Sequence, residues 1–382
     1  MGRGIRGVDK GTCETLASRA LPGLMGSVRV VENVPLASMT TLQLGGPARR
    51  LIAPDREADL VEAVRAIDES GGKLLIVGGG SNLVVGDDGF DGTVLRMMTR
   101  GVEIESAKGG VRHLTALAGE PWDELVARCV ADGLTGVECL AGIPGLVGAV
   151  PMQNVGAYGQ DVGETIVSVR TWHRPSRRIV ELGHAECRFA YRNSMFRGRE
   201  DHVILGVTFA FAEAGAESAP IRYAELARAL GVREGERAPL ARVRETVIAL
   251  RRGKGMVLDD GDADTRSAGS FFTNPILDAN ELVQLRARVQ TVLGEQAALP
   301  VFPEADGRSK VSAAWLIERG GFPKGHALGP VAISSKHALA LTNKGGATTS
   351  DLLALARAIR SGVKERFGVT LENEPVFVGV SL

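Results

Sequence analysis

A run of three glycines follows a short apolar segment and offers a place for a phosphate. Residues 73–77 predict a strand that runs directly into Gly78, Gly79, Gly80, Ser81 and Asn82. Glycines admit backbone conformations that turn successive N–H groups toward one point, and such a nest binds anions. A plain tight turn is the alternative for a triple glycine taken alone. The loop matches neither a Rossmann nor a Walker motif, because residues 83–85 predict a second strand and no Lys-Ser/Thr pair follows.

Residues 142–159 form a second glycine-rich loop, in which only Gln153 and Asn154 carry strongly polar side chains. A buried loop of this kind must satisfy its backbone polar groups, and a polar ligand offers partners for them. The two loops are separated by a predicted helix and strands, so they are able to clasp the two ends of one extended dinucleotide. This pattern favours a nucleotide or flavin and does not identify a reaction.

Charged side chains occur where an apolar core is otherwise expected. Arg192 lies among aromatic residues, and Glu374 lies within the apolar C-terminal segment, where a buried carboxylate usually has a function. Lys254 follows Arg251 at the predicted end of a helix, a position at which the helix dipole favours cations. For Arg251 a solvated helix end is the alternative.

Ser270 lies between a glycine and two phenylalanines. A hydroxyl at a strand edge is the simplest interpretation of this residue considered alone. No G-x-S-x-G motif surrounds it and no histidine near in sequence is available as its base, so a hydrolase triad is weakly supported.

The predicted elements divide the chain into two halves. Apolar spacing after Asp55, the expected N-cap, predicts a helix that stops at Gly71. The first half continues with many strands and reads as mixed α+β. Residues 212–219 are small and polar and predict a linker. Helices expected at Pro239, near Asp278 and at Ser350 alternate with strands in a second α/β domain, and residues 369–380 predict a final strand.

Composition excludes several classes of function. The 382 residues suit two or three domains, and 45 Lys plus Arg against 45 Asp plus Glu argue against a nucleic-acid partner. The four cysteines are dispersed, so neither a zinc site nor a disulfide framework is expected and a reducing cytoplasm fits. We find no signal peptide, and the most apolar stretch, residues 140–155, is too broken to span a membrane. Residues 1–25 read as an extension.

Seven motifs in order resemble the UDP-N-acetylenolpyruvoylglucosamine reductase (MurB) family over nearly the whole chain. They begin at residues 41 (TLQLGG), 77 (VGGGSN), 142 (GIPG), 153 (QNVGAYG), 191 (YRNS), 268 (AGSFF) and 371 (LENE). The resemblance implies a vanillyl-alcohol-oxidase-type (PCMH) FAD-binding domain at residues 26–213. It also implies a smaller α/β substrate-binding domain at 214–366, and a C-terminal segment, 367–382, with the catalytic glutamate.

The resemblance further implies NADPH-dependent reduction of the enolpyruvyl ether of UDP-N-acetylglucosamine to UDP-N-acetylmuramate. The FAD is expected to be non-covalent, because residues 78–82 offer no His or Cys. The implied FAD contacts are Gly78, Gly79, Gly80, Ser81, Asn82, Gly142, Ile143, Gly145, Gly148, Gln153, Asn154, Gly156, Ala157 and Tyr158.

The family's catalytic residues match Ser270 as proton donor and Arg192 with Glu374 beside the substrate carboxylate. Arg192 is expected to stabilise developing enolate charge, and Glu374 to be protonated or engaged by that arginine. The implied substrate contacts are Tyr191, Tyr223, Lys254, Asn274 and His337.

Two of these substrate contacts need comment. Tyr223 matches the tyrosine by which type I members close a loop over the nucleotide. His337 stands where members often carry Gln, and an imidazolium is able to serve there.

Two other functions are weighed against this interpretation. One is a flavin oxidoreductase of the same fold that oxidises an alcohol or hydroxy acid. The other is a non-catalytic nucleotide-binding regulator that retains the glycine loops. Neither accounts for Arg192, Ser270 and Glu374 occurring together. The oligomeric state is left open.

Overall fold

The computed structural model describes residues 29–105, 109–304 and 306–382. The predicted extension at residues 1–25 lies outside this part of the chain. Among the residues described, no helix has the length and apolar character needed to cross a membrane.

Helices are present in both halves. In chain order the described helices are α1 Glu57–Glu69, α2 Trp122–Ala131, α3 His184–Cys187, α4 Ala224–Leu230, α5 Leu240–Gly253, α6 Ala279–Leu293, α7 Ala313–Arg319 and α8 Thr349–Phe367.

The strands are shorter and more numerous. Those of the first half are β1 Val30–Pro35, β2 Pro47–Ile52, β3 Leu74–Val77, β4 Leu83–Val85, β5 Phe90–Arg96, β6 Val102–Ile104, β7 Val111–Leu117, β8 Leu134–Thr135, β9 Gly156–Ala157, β10 Gln160–Asp161, β11 Ile166–His173, β12 Arg178–Gly183 and β13 His202–Glu213. Those of the second half are β14 Ser267–Ser270, β15 Ile276–Leu277, β16 Val301–Pro303, β17 Ser309–Val311, β18 Ala327–Leu328, β19 Val331–Ile333, β20 Ala340–Asn343 and β21 Val376–Val378.

The first half contains two large sheets and the short antiparallel pair β9–β10. One has the order β1-β2-β5-β3, in which β5 runs parallel to both β2 and β3. The other has the order β12-β11-β13-β7-β6 and is antiparallel throughout, with β8 added beside β13. β13 is buried over most of its length, continuously at residues 203–207, and α2 packs its buried face, including Trp122 and Cys129, into the same core. The buried thiol of Cys129 agrees with its expected core position.

Helices α4 and α5 pack on this first core, although they follow the predicted linker. Leu226 and Leu230 of α4 and Val243 and Val247 of α5 belong to the same buried cluster as Trp122. The second core begins with Ala268 and is built mainly around α6, α7 and α8 and the sheet β14-β20-β19-β18. The two cores therefore separate after α5 rather than at residue 213.

The C-terminal strand returns to the first half. β21 pairs in parallel with β4, directly after the glycine loop, and the Val376 N–H donates to the Asn82 carbonyl at 2.9 Å. Leu42 and Leu44 cross in the other direction and are buried in the second core. The two halves are thus interlocked rather than joined by a single linker.

Three local predictions need correction. The N-cap of α1 is Arg56 rather than Asp55, because the Leu60 N–H donates to the Arg56 carbonyl and starts the helix one residue later. The final strand is limited to β21, because Pro375 lacks an N–H and the residues before it bond irregularly to Phe271. α8 begins at Thr349, capped by Thr348, one residue before the predicted start.

Candidate active site

The triple-glycine loop presents unpaired N–H groups. Within the described part of the protein, the N–H groups of residues 79–82 donate to no carbonyl or side chain. Gly80 has a φ of +65°, and a Cβ there would lie 1.8 Å from the Met39 carbonyl oxygen, so only glycine fits. Gly79 is exposed and Ser81 and Asn82 are half-buried, so the loop is a nest open to the pyrophosphate of a dinucleotide.

The two glycine loops touch each other. A Cβ at Gly79 would lie 2.9 Å from the Gly145 Cα, and the Ser81 hydroxyl donates to the Pro144 carbonyl at 3.0 Å. Asp123, at the start of α2, accepts from the Gly142 N–H at 2.6 Å and fixes the second loop on that helix. The residues present therefore fit the expected FAD, with both loops converging on one cradle.

Several residues predicted to bind the cofactor hold the loops in shape. Gly148 packs against Ala118, where a Cβ would lie 2.7 Å from the Ala118 Cβ. Asn154 has a φ of +44° and uses its side chain to accept from the Gly163 N–H and donate to the Ala190 carbonyl. Ile143 and Ala157 are half-buried against the first core. The assignment of these residues to flavin contacts stays a prediction.

Gln153 links the cofactor loop to the C-terminal segment. Its side-chain oxygen accepts from the side-chain nitrogen of Asn82 at 3.2 Å. Its side-chain nitrogen donates to the backbone carbonyl of Glu374 at 3.0 Å. Gln153 thus connects the glycine loop to the backbone of Glu374 through two hydrogen bonds.

Arg192 and Glu374 form a pair, as expected. The Arg192 Nε lies 3.4 Å from a Glu374 carboxylate oxygen, and each side chain is about one-fifth exposed. The guanidinium is fixed further by the Gly156 carbonyl at 2.5 Å and by Asp161, whose carboxylate lies 3.6 Å from Nη1. Arg192 itself has a φ of +48°, a left-handed backbone that directs its side chain toward these partners.

The two carboxyls beside Arg192 share one electrostatic environment. Burial raises the pKa of Glu374, and the positive charges of Arg192 and Arg197 only partly offset that effect. Burial also raises the pKa of Asp161 against the opposing influence of Arg192 and Lys310. A raised pKa favours the protonated acid, which suits a carboxyl that is to lie beside a substrate carboxylate.

Ser270 ends β14 next to this pair. The Glu374 N–H donates to the Phe271 carbonyl at 2.9 Å, so Glu374 and Ser270 lie on adjacent stretches of backbone. The Ser270 hydroxyl makes no hydrogen bond within the described residues and is half-buried. The structure therefore brings the three predicted catalytic residues together, with the serine hydroxyl left available for a ligand.

A second group of predicted residues gathers around Tyr158. Its ring meets that of Tyr223 edge-on at 5.5 Å, and the Lys254 ammonium lies 5.3 Å from its centre. Lys254 also pairs with Glu225 at 2.6 Å. Tyr158, predicted as a cofactor contact, thus lies with the predicted substrate contacts.

His337 lies beside this group and is mostly buried. Burial lowers its pKa to about 4, assisted by the positive charges of Lys254, Lys324 and Arg251. In the absence of ligand this environment favours the neutral ring, which offers one N–H donor, over the imidazolium that the sequence left open. The side chain of Arg251 is not solvated, in contrast to the alternative considered from the sequence. Its Nε is buried and has no hydrogen-bond partner among the described residues, and burial lowers its pKa. This concentration of cations suits a diphosphate.

Asn274 and Tyr191 meet beside Arg192, whose guanidinium lies 5.2 Å from the centre of the Tyr191 ring. The Asn274 side-chain nitrogen lies 3.5 Å from the Tyr191 hydroxyl, and its oxygen accepts from the Ala313 N–H at 2.9 Å. The Lys310 ammonium lies 4.8 Å from the Tyr191 ring centre. Sequence reasoning missed Lys310 and Asp161. Asp161 lies two residues after the end of the QNVGAYG motif, and this position could have identified it.

Two family models match the chain. One, described as an FAD binding domain, matches residues 48–183. The other, described as the C-terminal domain of UDP-N-acetylenolpyruvoylglucosamine reductase, matches residues 261–378.

Similar proteins carry the same description. The chain is 56% identical over 350 residues to a UDP-N-acetylenolpyruvoylglucosamine reductase of Thermobifida fusca, covering 92% of this chain and 98% of that one. It is 55% identical over 368 residues to one of Streptomyces coelicolor, covering 94% and 95%. The crystal structure of the enzyme so described from Thermus caldophilus superposes with a TM-score of 0.60 at 23% identity, covering 92% of this chain and 99% of that one, which shows the shared fold.

Proposed function

The chain belongs to the UDP-N-acetylenolpyruvoylglucosamine reductase family, and we propose that it reduces UDP-N-acetylglucosamine enolpyruvate to UDP-N-acetylmuramate with NADPH. The reaction belongs to peptidoglycan precursor synthesis. The observation that carries the proposal is the Arg192–Glu374 pair beside Ser270, three residues from distant parts of the chain in one place.

FAD is the cofactor of the family, and the N–H groups of residues 79–82 and the loop at Gly142 and Gly145 would hold it. Hydride transfer from NADPH to the double bond of the enolpyruvyl group is the chemistry that bound FAD would supply. The protein must then orient the substrate, shield the site from water and supply one proton.

Arg192 binds the carboxylate of the enolpyruvyl group and stabilises the negative charge that develops on it during reduction. Its guanidinium is fixed in advance by Gly156 and Asp161, so little reorganisation is needed when charge develops. Burial raises the pKa of Glu374 and so favours its protonated form, in which it donates a hydrogen bond to that carboxylate.

Ser270 supplies the proton to the carbon that bears the carboxylate. A free serine hydroxyl is a very weak acid, so it donates only to a strongly basic centre held within reach. Its oxygen becomes an alkoxide as the C–H bond forms, and a proton from solvent restores it after product leaves.

The uridine diphosphate part lies along Tyr158, Tyr223, Lys254 and His337. Lys254 and the buried Arg251 provide the positive charge for the diphosphate, and the neutral His337 provides an N–H. Asn274, which the resemblance assigns to the UDP part, is bonded to Tyr191 next to Arg192 and would contact the substrate nearer its enolpyruvyl end. The exposed ring of Tyr223 on Tyr158 supports a type I enzyme, in which this tyrosine closes over the nucleotide.

Two broader assignments accompany this function. We place the boundary between cofactor and substrate parts after α5, near residue 261, because α4 and α5 belong to the first core. We place the enzyme in the cytoplasm, since Cys129, Cys139 and Cys187 are buried free thiols and suit a reducing compartment.

The decisive test is NADPH oxidation by the purified yellow protein with and without UDP-N-acetylglucosamine enolpyruvate. Oxidation that depends on this substrate, with UDP-N-acetylmuramate as product, supports the reaction and the substrate together. If NADPH bleaches the flavin but the substrate does not restore the colour, the proposed reaction is wrong and another flavin oxidoreductase takes its place.

A further inference from the structure

A second cluster of ligand-type side chains lies on the antiparallel sheet of the first half, in residues that the proposed reaction does not use. His173 ends β11 and His202 begins β13, and the two are directly opposite in the strand register. Asp201 immediately precedes His202. One ligand atom from each of the three lies within 4.8 Å of the others.

The hydrogen bonds of His202 leave one ring nitrogen available as a ligand. Its Nδ1 lies 2.9 Å from the Thr171 hydroxyl, and that hydroxyl donates to the Val180 carbonyl at 3.3 Å. When the hydroxyl donates to Val180 it accepts from Nδ1–H, and this tautomer carries its lone pair on Nε2, where an ion would select it. Outer partners of this kind fix the tautomer of metal-binding histidines.

His173 and Asp201 are arranged in a comparable way. The His173 Nδ1 lies 2.7 Å from the Ser176 hydroxyl, which leaves Nε2 of that ring without a hydrogen bond in the described structure. The Asp201 Oδ1 is buried and has no hydrogen-bond partner among the residues described. A buried carboxylate oxygen without a donor is unusual, and a bound cation would satisfy it.

The neighbouring arginines limit the affinity of this cluster for a metal ion. Arg199 lies 3.3 Å from the other oxygen of Asp201 and competes for its charge. Arg174 is engaged by Asp68 at 2.6 Å and donates to the Glu200 carbonyl. Arg199 therefore must turn away from Asp201 or share it when an ion binds. The charge of Arg174 is already neutralised by Asp68.

The dispersed cysteines argue only against a zinc site built on thiolates; we propose that His173, Asp201 and His202 form a binding site for one divalent late-transition-metal ion, with Zn²⁺ as the preferred ion. Two imidazoles and one carboxylate suit Zn²⁺, and water completes its coordination. Zinc–ligand bonds of about 2.0–2.1 Å require ligand atoms roughly 3.3 Å apart, so the side chains need to close by about 1.5 Å. The ion would fasten the β11–β12 turn to the start of β13 and stabilise the fold.

Zinc titration of the untagged, chelator-treated flavoprotein tests this site. Isothermal calorimetry should show one Zn²⁺ per chain, and Co²⁺ in its place should give the absorption bands of a tetrahedral or five-coordinate ion. His173→Ala and Asp201→Asn should each weaken Zn²⁺ binding by ~100-fold. Thr171→Val, which removes only the outer partner of His202, should weaken it by about tenfold.

His113→Ala is the matched control, since His113 also faces a carboxylate, Glu105 at 3.7 Å, but has no second histidine. This variant should bind zinc as the wild type does. Zinc should also raise Tm in the wild type and in His113→Ala but not in His173→Ala. The flavin absorption spectrum reports whether each variant is folded. Unchanged zinc affinity in folded His173→Ala, or no stoichiometric binding to the wild type, would overturn the proposal.

Discussion

Arg192 shows how the active site is prepared at the scale of single residues. Its backbone is left-handed, its guanidinium donates to the Gly156 carbonyl, and carboxyls of Asp161 and Glu374 lie on two sides of it. Gly156 permits this arrangement, because a Cβ there would lie 1.7 Å from the Asp161 Oδ1. Asp161 is thus a positioning residue that directs Arg192 and shares its charge with Glu374.

Asp161→Asn should keep the shape of this cluster and remove one negative charge. Glu374 then faces Arg192 with less competition, so its pKa should fall toward the ordinary range and the basic limb of the pH–rate profile should move to lower pH. The KM for the enolpyruvyl substrate should rise about two- to tenfold, the effect of one weakened charged contact. Glu164→Gln, an exposed partner of Arg222, is the control. An unshifted profile would show that Asp161 has only a structural role.

Ser270→Ala separates the two half-reactions. Flavin bleaching by NADPH should proceed at the wild-type rate, because Ser270 takes no part in it. Reoxidation by the enolpyruvyl substrate should slow by ~10²–10⁴-fold, the usual contribution of a positioned acid. Stopped-flow absorbance measures both steps. Ser267→Ala, at the other end of the same strand, should leave both nearly unchanged. Normal reoxidation in Ser270→Ala would remove the serine from its role as proton donor.

At the scale of elements, helix ends and loops position these residues. Tyr223 is the N-cap residue of α4, and its ring is exposed where it meets Tyr158. Asp87, in the turn between β4 and β5, caps α8 from the other half of the molecule. Its carboxylate accepts from the N–H groups of Thr349 at 2.7 Å and Ser350 at 2.9 Å.

Tyr223→Ala should raise the substrate KM by about tenfold, since ring stacking over a ligand contributes roughly 1–1.5 kcal/mol. Flavin reduction by NADPH should change little. Tyr223→Phe retains the ring and should stay within a few fold of the wild type, so steady-state kinetics of the pair separate stacking from the hydroxyl. An unchanged KM in Tyr223→Ala would contradict closure of this residue over the nucleotide.

Asp87→Ala should lower the free energy of unfolding by ~1 kcal/mol at neutral pH, as expected for loss of an N-cap. Burial alone would raise the pKa of Asp87, but hydrogen bonds from Ser350 and Thr349 outweigh it and lower the pKa below 3.8. The contribution is therefore present above pH 3.8 and disappears as the pH falls through the lowered value. Urea unfolding at several pH values measures this difference.

The control for this cap is Asp91→Ala, which breaks only an exposed ion pair with Arg49. Its effect should be within about 0.5 kcal/mol. If Asp87→Ala and Asp91→Ala differ by no more than that, or if the effect of Asp87→Ala is independent of pH, the capping role is wrong.

Local signals in the sequence predict many elements, and contacts between distant segments escape them. Pro239 before α5 and the capping box at Asp278 before α6 mark helix starts that the structure confirms. The packing of α4 and α5 on the first core was missed, because amphipathic spacing shows that a face is buried and not against which partner. Asp161 and Lys310 were missed for the same reason. Each is part of the site only through a contact with a residue distant in sequence, Asp161 with Arg192 and Lys310 with Tyr191.

At the scale of the whole molecule, the C-terminal strand joins the two halves. β21 pairs with β4 beside the glycine loop, Phe377 packs 6.0 Å from Phe271 in the second core, and Val378 is buried in a small cluster of the first half. The Thr41 hydroxyl donates to the Ser267 carbonyl in the same interlock. Because Glu374 lies just before β21, the contacts of β21 that join the two halves also position Glu374 in the active site.

We therefore expect the two halves to unfold together. Release of flavin fluorescence and loss of far-ultraviolet circular dichroism should follow one transition in urea. Val376→Pro removes the N–H that bonds to Asn82 and should cost about 1–3 kcal/mol, with a fall in turnover because Glu374 loses its anchor. Val376→Ala keeps that N–H at an exposed position and should cost less than about 1 kcal/mol. Equal effects of the two variants, or separate transitions in the wild type, would show that β21 does not couple the halves.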